Sequence, residues 1–89
     1  MKVEFDKSFD KSLEKIRDKS LFPKIERIIN NLEKAKSIAD IPNLKKLSGF
    51  KDYYRIRIGD YRLGFEKINN TTLRLIIIAN RKDIYKLFP

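Results

Sequence analysis

The sequence of 89 residues contains no cysteine, no histidine and no tryptophan. The chain therefore forms no disulfide, lacks the ligands of a zinc finger, and has neither a histidine base nor a cysteine nucleophile. Its aspartates and glutamates are scattered, without the spacing of an oxygen-ligand loop. We therefore expect no metal site and no other cofactor.

Long hydrophobic runs are also absent. The longest, Leu75 to Ala79, is far too short to span a bilayer, and the charged segment from Met1 to Lys11 lacks the apolar stretch of a signal peptide. We expect a soluble, cytoplasmic protein with no membrane partner. At this length residues 1–89 predict a single domain, whose thin core leaves no room for a large enclosed active-site cavity.

Positive charge, by contrast, is abundant and unevenly placed. The chain has 21 Lys and Arg against 12 Asp and Glu, a formal net charge of +9. Residues 1–42 hold 10 basic against 8 acidic side chains, and residues 43–89 hold 11 against 4, so the second half alone carries +7. This asymmetry indicates a polyanionic partner, either nucleic acid or an acidic protein.

The first half of the chain predicts one strand and two helices. Residues 2–5 form the strand, and Asp6 or Ser8 caps a helix that ends near Lys19. Ser20 can cap the second helix, with Pro23 tolerated in its first turn. That helix carries one apolar stripe, made of Ile25, Ile28, Ile29, Leu32 and Ala35.

The second half predicts a connection and then three strands. Apolar residues pin the connection, residues 36–49, to the core: Ile38, Ile41, Leu44 and Leu47. A hairpin spans residues 53–65, and residues 72–78, apolar on both faces at their end, suit a central strand. Ile84, Leu87 and Phe88 return the tail to the core. The order β-α-α-β-β-β predicts an α+β domain, two helices packed on a small, mostly antiparallel sheet.

The hairpin has two chemically opposite faces. With Gly59 and Asp60 as its turn, one face is apolar, whereas on the other Arg57 lies directly opposite Arg62. Facing like charges destabilise a sheet by about 0.2–1 kcal/mol. On the same face Gly64 lies opposite Arg55, which predicts open backbone beside the charges. A bound polyanion would account for both features, and an ordinary solvated basic face is the alternative.

Three segments carry a resemblance to a known family: residues 46–49 (Lys-Leu-Ser-Gly), residues 53–62 of the hairpin, and residues 80–85 (Asn-Arg-Lys-Asp-Ile-Tyr). Together, in this order, they resemble the RelE/ParE toxins of bacterial and archaeal toxin-antitoxin systems. The resemblance implies a RelE-like fold and a RelB-like antitoxin that covers the basic surface. In the RelE branch it implies cleavage of mRNA in the ribosomal A site, and in the ParE branch non-catalytic inhibition of DNA gyrase.

The family's functional positions fall on five residues here: Arg55, Arg57, Arg62, Arg81 and Tyr85. Because the ParE branch typically lacks this full set, the resemblance favours the RelE branch and an endoribonuclease, or mRNA interferase. The best-known active members carry lysine at the positions of Arg55 and Arg57, and often histidine at that of Asn80.

RNA supplies its own nucleophile, the 2′-OH, so a metal-independent nuclease need only orient that group and stabilise charge on the phosphoryl oxygens. Guanidinium groups suit this, because they stay charged and bind phosphate oxygens in a bidentate way. We assign this role to Arg62 and Arg81, with Arg55 and Arg57 binding the RNA backbone or assisting. Tyr85 is the candidate for proton transfer or for base stacking, and an anchor for the tail is its structural alternative.

Further RNA contacts are expected from basic and aromatic residues outside this set. Tyr53, which faces Glu66 across the hairpin, is either a stacking platform or part of a packing pair. The whole predicted RNA-binding set is Lys45, Lys46, Lys51, Lys82 and Tyr53. Three functions remain: a ribosome-dependent endoribonuclease, a non-catalytic gyrase inhibitor, or a plain nucleic-acid-binding domain.

Overall fold

A computed structural model describes all 89 residues. It contains five strands, three α-helices and a 3-10 turn at Ile38–Asp40; in chain order the strands and α-helices are β1 (Lys2–Phe5), α1 (Lys7–Glu14), α2 (Leu21–Lys34), β2 (Leu44–Lys46), β3 (Tyr53–Ile58), β4 (Tyr61–Asn69), β5 (Thr72–Asn80) and α3 (Arg81–Leu87). The sheet order is β1-β5-β4-β3-β2, and only the β1–β5 pair is parallel. The α+β class and the mostly antiparallel sheet are thus confirmed, and β2 and α3 are additional elements.

The first helix is shorter than the sequence pattern predicts. Asp6 caps α1 by accepting a 3.0 Å hydrogen bond from the Ser8 N–H, as expected, but the helix ends at Glu14 rather than near Lys19. Beyond Ile16 no apolar residue gives a further turn anything to bury. Asp18 instead accepts hydrogen bonds from the N–H and hydroxyl of Ser20, a local turn that competes with helix.

The second helix buries the predicted stripe. Ile25 and Leu32 are buried, and Ile28 and Ile29 pack partly buried against the same core. Ser20 stands at the cap position, but its side chain makes no capping hydrogen bond, because its backbone is already helical, with φ −66° and ψ −16°, instead of extended as in a capping serine. The prediction of a Ser20 side-chain cap is therefore wrong, although the helix does start where it was expected.

The main core lies between the sheet and helices α1 and α2. Ile56 pairs with Leu63 and Tyr54 with Phe65, so the six apolar residues of the hairpin face this core, as the alternation predicts. Fully buried side chains come from both layers, including Phe9, Leu32, Phe65, Leu73 and Leu75. The hairpin register is confirmed.

Beyond the end of β1, the hydroxyls of two serines of α1 form hydrogen bonds with the backbone of β5. The Ser8 hydroxyl lies 2.6 Å from the carbonyl oxygen of Ile76, and the N–H of Ile78 donates to the Ser12 hydroxyl at 3.0 Å. Residue 76 is skipped in the β4–β5 register. This bulge turns Ile77 to the second face of the sheet and Ile78 to the main core.

The second face of the sheet is only partly covered, and α3 covers it. Ile84 and Phe88 pack with Leu47 into a small cluster against Tyr53 and Ile77. The third predicted tail anchor, Leu87, is 57% exposed, so that prediction is wrong. Leu87 lies outside the small cluster and lines the groove beside α1 instead.

Gly64 is covered, and the prediction of open backbone at this position is wrong. A Cβ built on Gly64 would lie 2.7 Å from the Phe88 ring. Glycine is needed here because an aromatic ring occupies the place of its side chain.

The connection before the hairpin is pinned to the core as predicted, through Ile41 and Leu47, but Leu47 joins the small cluster. No helix here has the length and apolarity needed to cross a membrane.

Candidate functional site

The uncovered half of the second face holds a shallow cavity of about 270 Å³. Three arginines of the hairpin form its floor, and residues from the β2 region and from α3 form its sides. We call it the arginine cavity; its lining is Asn43, Lys45, Arg55, Arg57, Arg62 and Tyr85. Four of the five residues predicted to be catalytic thus lie around one concave surface.

The hairpin turn positions the arginines. Arg57 pairs with Arg62, and Arg55 with Gly64, so all three arginines project from the same face. Gly59 has a φ of +58°, a conformation that glycine adopts without strain, and a first turn residue of this kind is typical of type II′ hairpins. A slip of one residue would turn every arginine into the core, so burial of the apolar face fixes the basic face as well.

The Arg62 side chain is held against the turn. Its Nη1 donates 2.9 Å hydrogen bonds to the carbonyl oxygens of Gly59 and Tyr61. A guanidinium has five N–H donors, and these two bonds use the pair on Nη1. The Nη2 and Nε donors remain for a ligand, and the side chain is already ordered when the ligand arrives.

Arg55 and Tyr85 join the sheet to α3 across the cavity. The guanidinium carbon of Arg55 lies 4.8 Å from the centre of the Tyr85 ring, a cation-π contact. Tyr85 is 72% exposed, whereas its neighbour Ile84 is fully buried. The tail is therefore anchored by Ile84, and the anchoring alternative for Tyr85 is wrong.

Asn43 belongs to the site, although the sequence pattern gave no signal for it. Its φ of +59° is left-handed, which asparagine tolerates better than most residues, and its carbonyl oxygen accepts a 3.3 Å hydrogen bond from the Arg57 N–H. This conformation follows Pro42 and turns the chain into β2. The turn brings both Asn43 and Lys45 to the cavity.

The positive charge of the arginine cavity is not neutralised within the chain. Four of its six lining residues are cationic, and none is a carboxylate. The two ion pairs of the molecule lie elsewhere, joining Lys2 to Glu4 and Arg74 to Asp6. Clustered cations without acidic partners create a local potential that attracts anions.

Arg81 is the one predicted catalytic residue that does not line the arginine cavity. It is the first residue of α3, with an exposed side chain, and its N–H donates a 2.8 Å hydrogen bond to the Asp60 carbonyl oxygen at the hairpin turn. Arg81 and Tyr85 are four residues apart, so they share one face of α3. Lys82, beside it, is also exposed.

The other predicted RNA-binding residues divide into two groups. Lys45 lines the arginine cavity, Lys46 is exposed at the end of β2, and Lys51 is exposed in the connection between β2 and β3. Tyr53 is half-buried, with ring centres 5.9 Å from Phe50 and 5.4 Å from Phe88. Tyr53 thus packs with these two rings, and its predicted alternatives, a packing pair with Glu66 or a stacking platform, stay predictions.

This arrangement suits a phosphate-bearing ligand. Ordered guanidinium donors, a lysine and an exposed aromatic ring surround an open hollow, and such groups bind phosphate oxygens and stack on bases. The donor set of cations, an amide and a phenol does not suit a metal cation, which prefers carboxylate, imidazole or thiolate ligands.

Comparisons with known proteins agree on one family. Residues 3–85 match the family model described as "ParE toxin of type II toxin-antitoxin system, parDE". The chain is 38% identical over 90 residues to a protein named Toxin RelE3 from Methanocaldococcus jannaschii, with the whole of both chains covered.

Solved structures give the same result for the fold. A RelB-RelE antitoxin-toxin complex from Methanococcus jannaschii matches with a TM-score of 0.79 and 34% identity, over 97% of this chain and 99% of that one. The archaeal RelE-RelB complex from Pyrococcus horikoshii matches with a TM-score of 0.68 and 23% identity, over 90% and 93%. The second likeness supports the fold alone.

Proposed function

The chain belongs to the RelE/ParE family of toxins of type II toxin-antitoxin systems, and from this premise we propose that it is a ribosome-dependent endoribonuclease that cleaves mRNA without a metal ion. The observation that carries the proposal is the arginine cavity, where Arg55, Arg57 and Arg62 meet Tyr85. A surface of this kind has donors for phosphate and a ring for a base, but no group that would serve a metal-dependent reaction.

In the proposed reaction the 2′-oxygen of one nucleotide attacks the adjacent phosphorus and loses its proton. The bond from phosphorus to the 5′-oxygen breaks, and that oxygen takes up a proton. The products are a 2′,3′-cyclic phosphate and a 5′-hydroxyl. Negative charge grows on the phosphoryl oxygens during this step, and preorganised cations stabilise it more than they stabilise the ground state.

We assign transition-state stabilisation to Arg62 and Arg81, and binding of the RNA backbone to Arg55 and Arg57. The assignment of Arg62 is supported by its hydrogen bonds to two carbonyl oxygens, which hold the guanidinium in place and leave Nη2 and Nε unused. The assignment of Arg81 is supported by its position, which is at the hairpin end of the site and one helical turn before Tyr85. Its exposed side chain must turn toward the RNA when the strand is bound.

Tyr85 either transfers a proton or stacks on a base. Arg55 lies over one face of its ring, which leaves the opposite face for a base. The hydroxyl of the exposed Tyr85 side chain is the group that would transfer the proton. Replacing Tyr85 with Phe separates the roles, because phenylalanine keeps the ring and loses the hydroxyl.

The proposed partner is a RelB-like antitoxin with an acidic or amphipathic segment. A groove of about 350 Å³ between α1 and α3 suits such a segment, since exposed Leu87 and half-buried Ile77 line it together with Lys11 and Lys15. Apolar side chains of the partner would cover Leu87, and its carboxylates would meet the lysines. Co-expression of the neighbouring gene should relieve the toxicity of the chain expressed alone.

The second candidate function is non-catalytic inhibition of DNA gyrase, as in the ParE branch. The absence of Arg81 from the arginine cavity favours it, because a surface inhibitor needs basic groups but no convergent catalytic set.

A translation reaction with purified ribosomes, read by primer extension on the mRNA, tests the proposal. The parent protein should cut within the A-site codon, and Arg62→Ala should lose the cut. Arg27→Ala, which removes one arginine from an exposed position of α2 on the opposite side of the sheet, is the matched control and should cut normally. Absence of any cut by the parent, together with inhibition of gyrase supercoiling, would establish the second candidate instead.

A further inference from the structure

A second hollow adjoins the arginine cavity, and the proposed reaction does not use it. It has a volume of about 420 Å³ and shares Lys45, Arg55 and Tyr85 with the arginine cavity. Its remaining walls are Lys46, Leu47, Ser48, Phe50, Phe88 and Pro89. We call it the Phe50 hollow. Its size is in the range of small-ligand sites, about 300–1,000 Å³.

Phe50 lines this hollow and has no role in either hydrophobic cluster or in the proposed reaction. It stands in the connection between β2 and β3, is 46% exposed, and belongs to neither hydrophobic cluster. Its ring is nonetheless held in place, because its centre lies 5.9 Å from that of Tyr53 and its N–H donates to the Leu47 carbonyl oxygen at 3.3 Å. An exposed aromatic ring on an ordered turn is suited to stacking against a flat ligand.

The charge around Phe50 specifies the ligand further. Lys45, Lys46 and Arg55 line the hollow, Lys51 follows Phe50 in sequence, and no aspartate or glutamate side chain lines it. Aromatic side chains interleaved with basic ones are typical of single-stranded nucleic-acid sites, where bases stack and the backbone meets cations. Continuity with the arginine cavity through Arg55 and Tyr85 places both hollows along one path for the strand.

We propose that the Phe50 hollow binds a nucleotide of single-stranded RNA next to the cleaved linkage, with its base stacked on Phe50 and its phosphate beside Lys45 and Lys46. This inference rests on the proposed function, because the arginine cavity orients the strand. Stacking tolerates every base, so the hollow would add affinity without setting codon preference.

The first test measures kcat and KM of mRNA cleavage on the ribosome. Phe50→Ala should raise KM about 5-fold or more with little change in kcat, because stacking is a binding contact. Phe50→Tyr keeps a ring and should restore the parental KM. Phe22→Ala, which removes another exposed phenylalanine from α2, is the matched control. Equal KM values for Phe50→Ala and Phe22→Ala would overturn the inference and leave the proposed function intact.

The second test needs no cleavage, so it also decides the case in which the proposed function fails. The probe is a 2′-O-methyl RNA hexanucleotide with one 2-aminopurine, whose fluorescence falls on stacking. The parent protein should quench it, and Phe50→Ala should bind it at least 5-fold more weakly with less quenching. Parental quenching by Phe50→Ala overturns the inference. The inference is also overturned if Phe50→Ala binds the probe normally but no longer binds an antitoxin peptide, because the occupant of the hollow would then be a protein.

Discussion

The two faces of the sheet share the same strands but are covered in different ways. On one face, α1 and α2 close over a core of 13 buried residues. On the other, α3 covers one half through a cluster of only three, and the arginines occupy the other half. Most of the fold's stability therefore comes from the first face, while the second is available for a ligand.

The packed half of the second face holds part of the arginine cavity in position. Phe88 fills the space above Gly64 and Ile84 anchors α3, which together hold Tyr85 beside Arg55. A weakly packed helix of seven residues thus carries one wall of the site. Changes to the first face should therefore affect stability, whereas changes to the second should affect function first.

The largest expected effect is on the first face. Phe65→Ala removes a fully buried ring from the main core and should lower the free energy of unfolding by about 3–5 kcal/mol. Chemical denaturation followed by circular dichroism measures it. The matched control is Phe50→Ala, which should cost far less because the ring is half exposed. Equal losses would mean that the two faces do not differ as described.

The next largest effects are expected on the rate of mRNA cleavage. Arg81→Ala and Tyr85→Phe should slow mRNA cleavage much more than they weaken ribosome binding, and loss of one charge-stabilising donor typically costs about 10²–10³ in rate. Lys45→Ala or Lys51→Ala should do the reverse, weakening binding and flattening its salt dependence. Single-turnover rates and affinities must be measured separately. A parental rate for Tyr85→Phe would leave only stacking for the ring.

A smaller effect is expected where the halves of the second face meet. Gly64→Ala places a methyl group about 2.7 Å from the Phe88 ring, and such overpacking typically costs about 1–3 kcal/mol. Since α3 carries Tyr85, cleavage should fall as well. Hydrogen exchange should show faster opening of α3 and unchanged protection of α1 and α2. Uniform loss of protection would show that α3 is not a separate unit.

Acid should weaken the cap of α1. The pKa of Asp6 is lowered below the usual value for aspartate by hydrogen bonds from the Ser8 hydroxyl and N–H, with help from Arg74. Its contribution is therefore present above about pH 4 and is lost as the pH falls through the lowered value in the folded state. A pH titration of stability should show this loss, and Asp6→Asn should remove that part of the pH dependence.

The hairpin was predictable from local sequence, because a two-residue turn and strict alternation determine the register of Arg57 and Arg62. The helix α3 was not, since seven residues with one buried side chain show no clear periodicity. The contact between Gly64 and Phe88 joins positions far apart in sequence. Asn43 enters the site through a backbone conformation, for which side-chain patterns carry no signal.

Arg57 and Arg62 face each other across the hairpin, which should lower the stability of the fold slightly, and the proposed role of the pair is to bind RNA. The most direct test is Arg57→Thr, measured in parallel for stability and for mRNA cleavage on the ribosome, with Arg27→Thr as the control on the first face. Removing one of two facing charges should raise the free energy of unfolding by about 0.2–1 kcal/mol while cleavage and RNA affinity fall. Lower stability, or cleavage and affinity equal to those of the parent, would contradict the account.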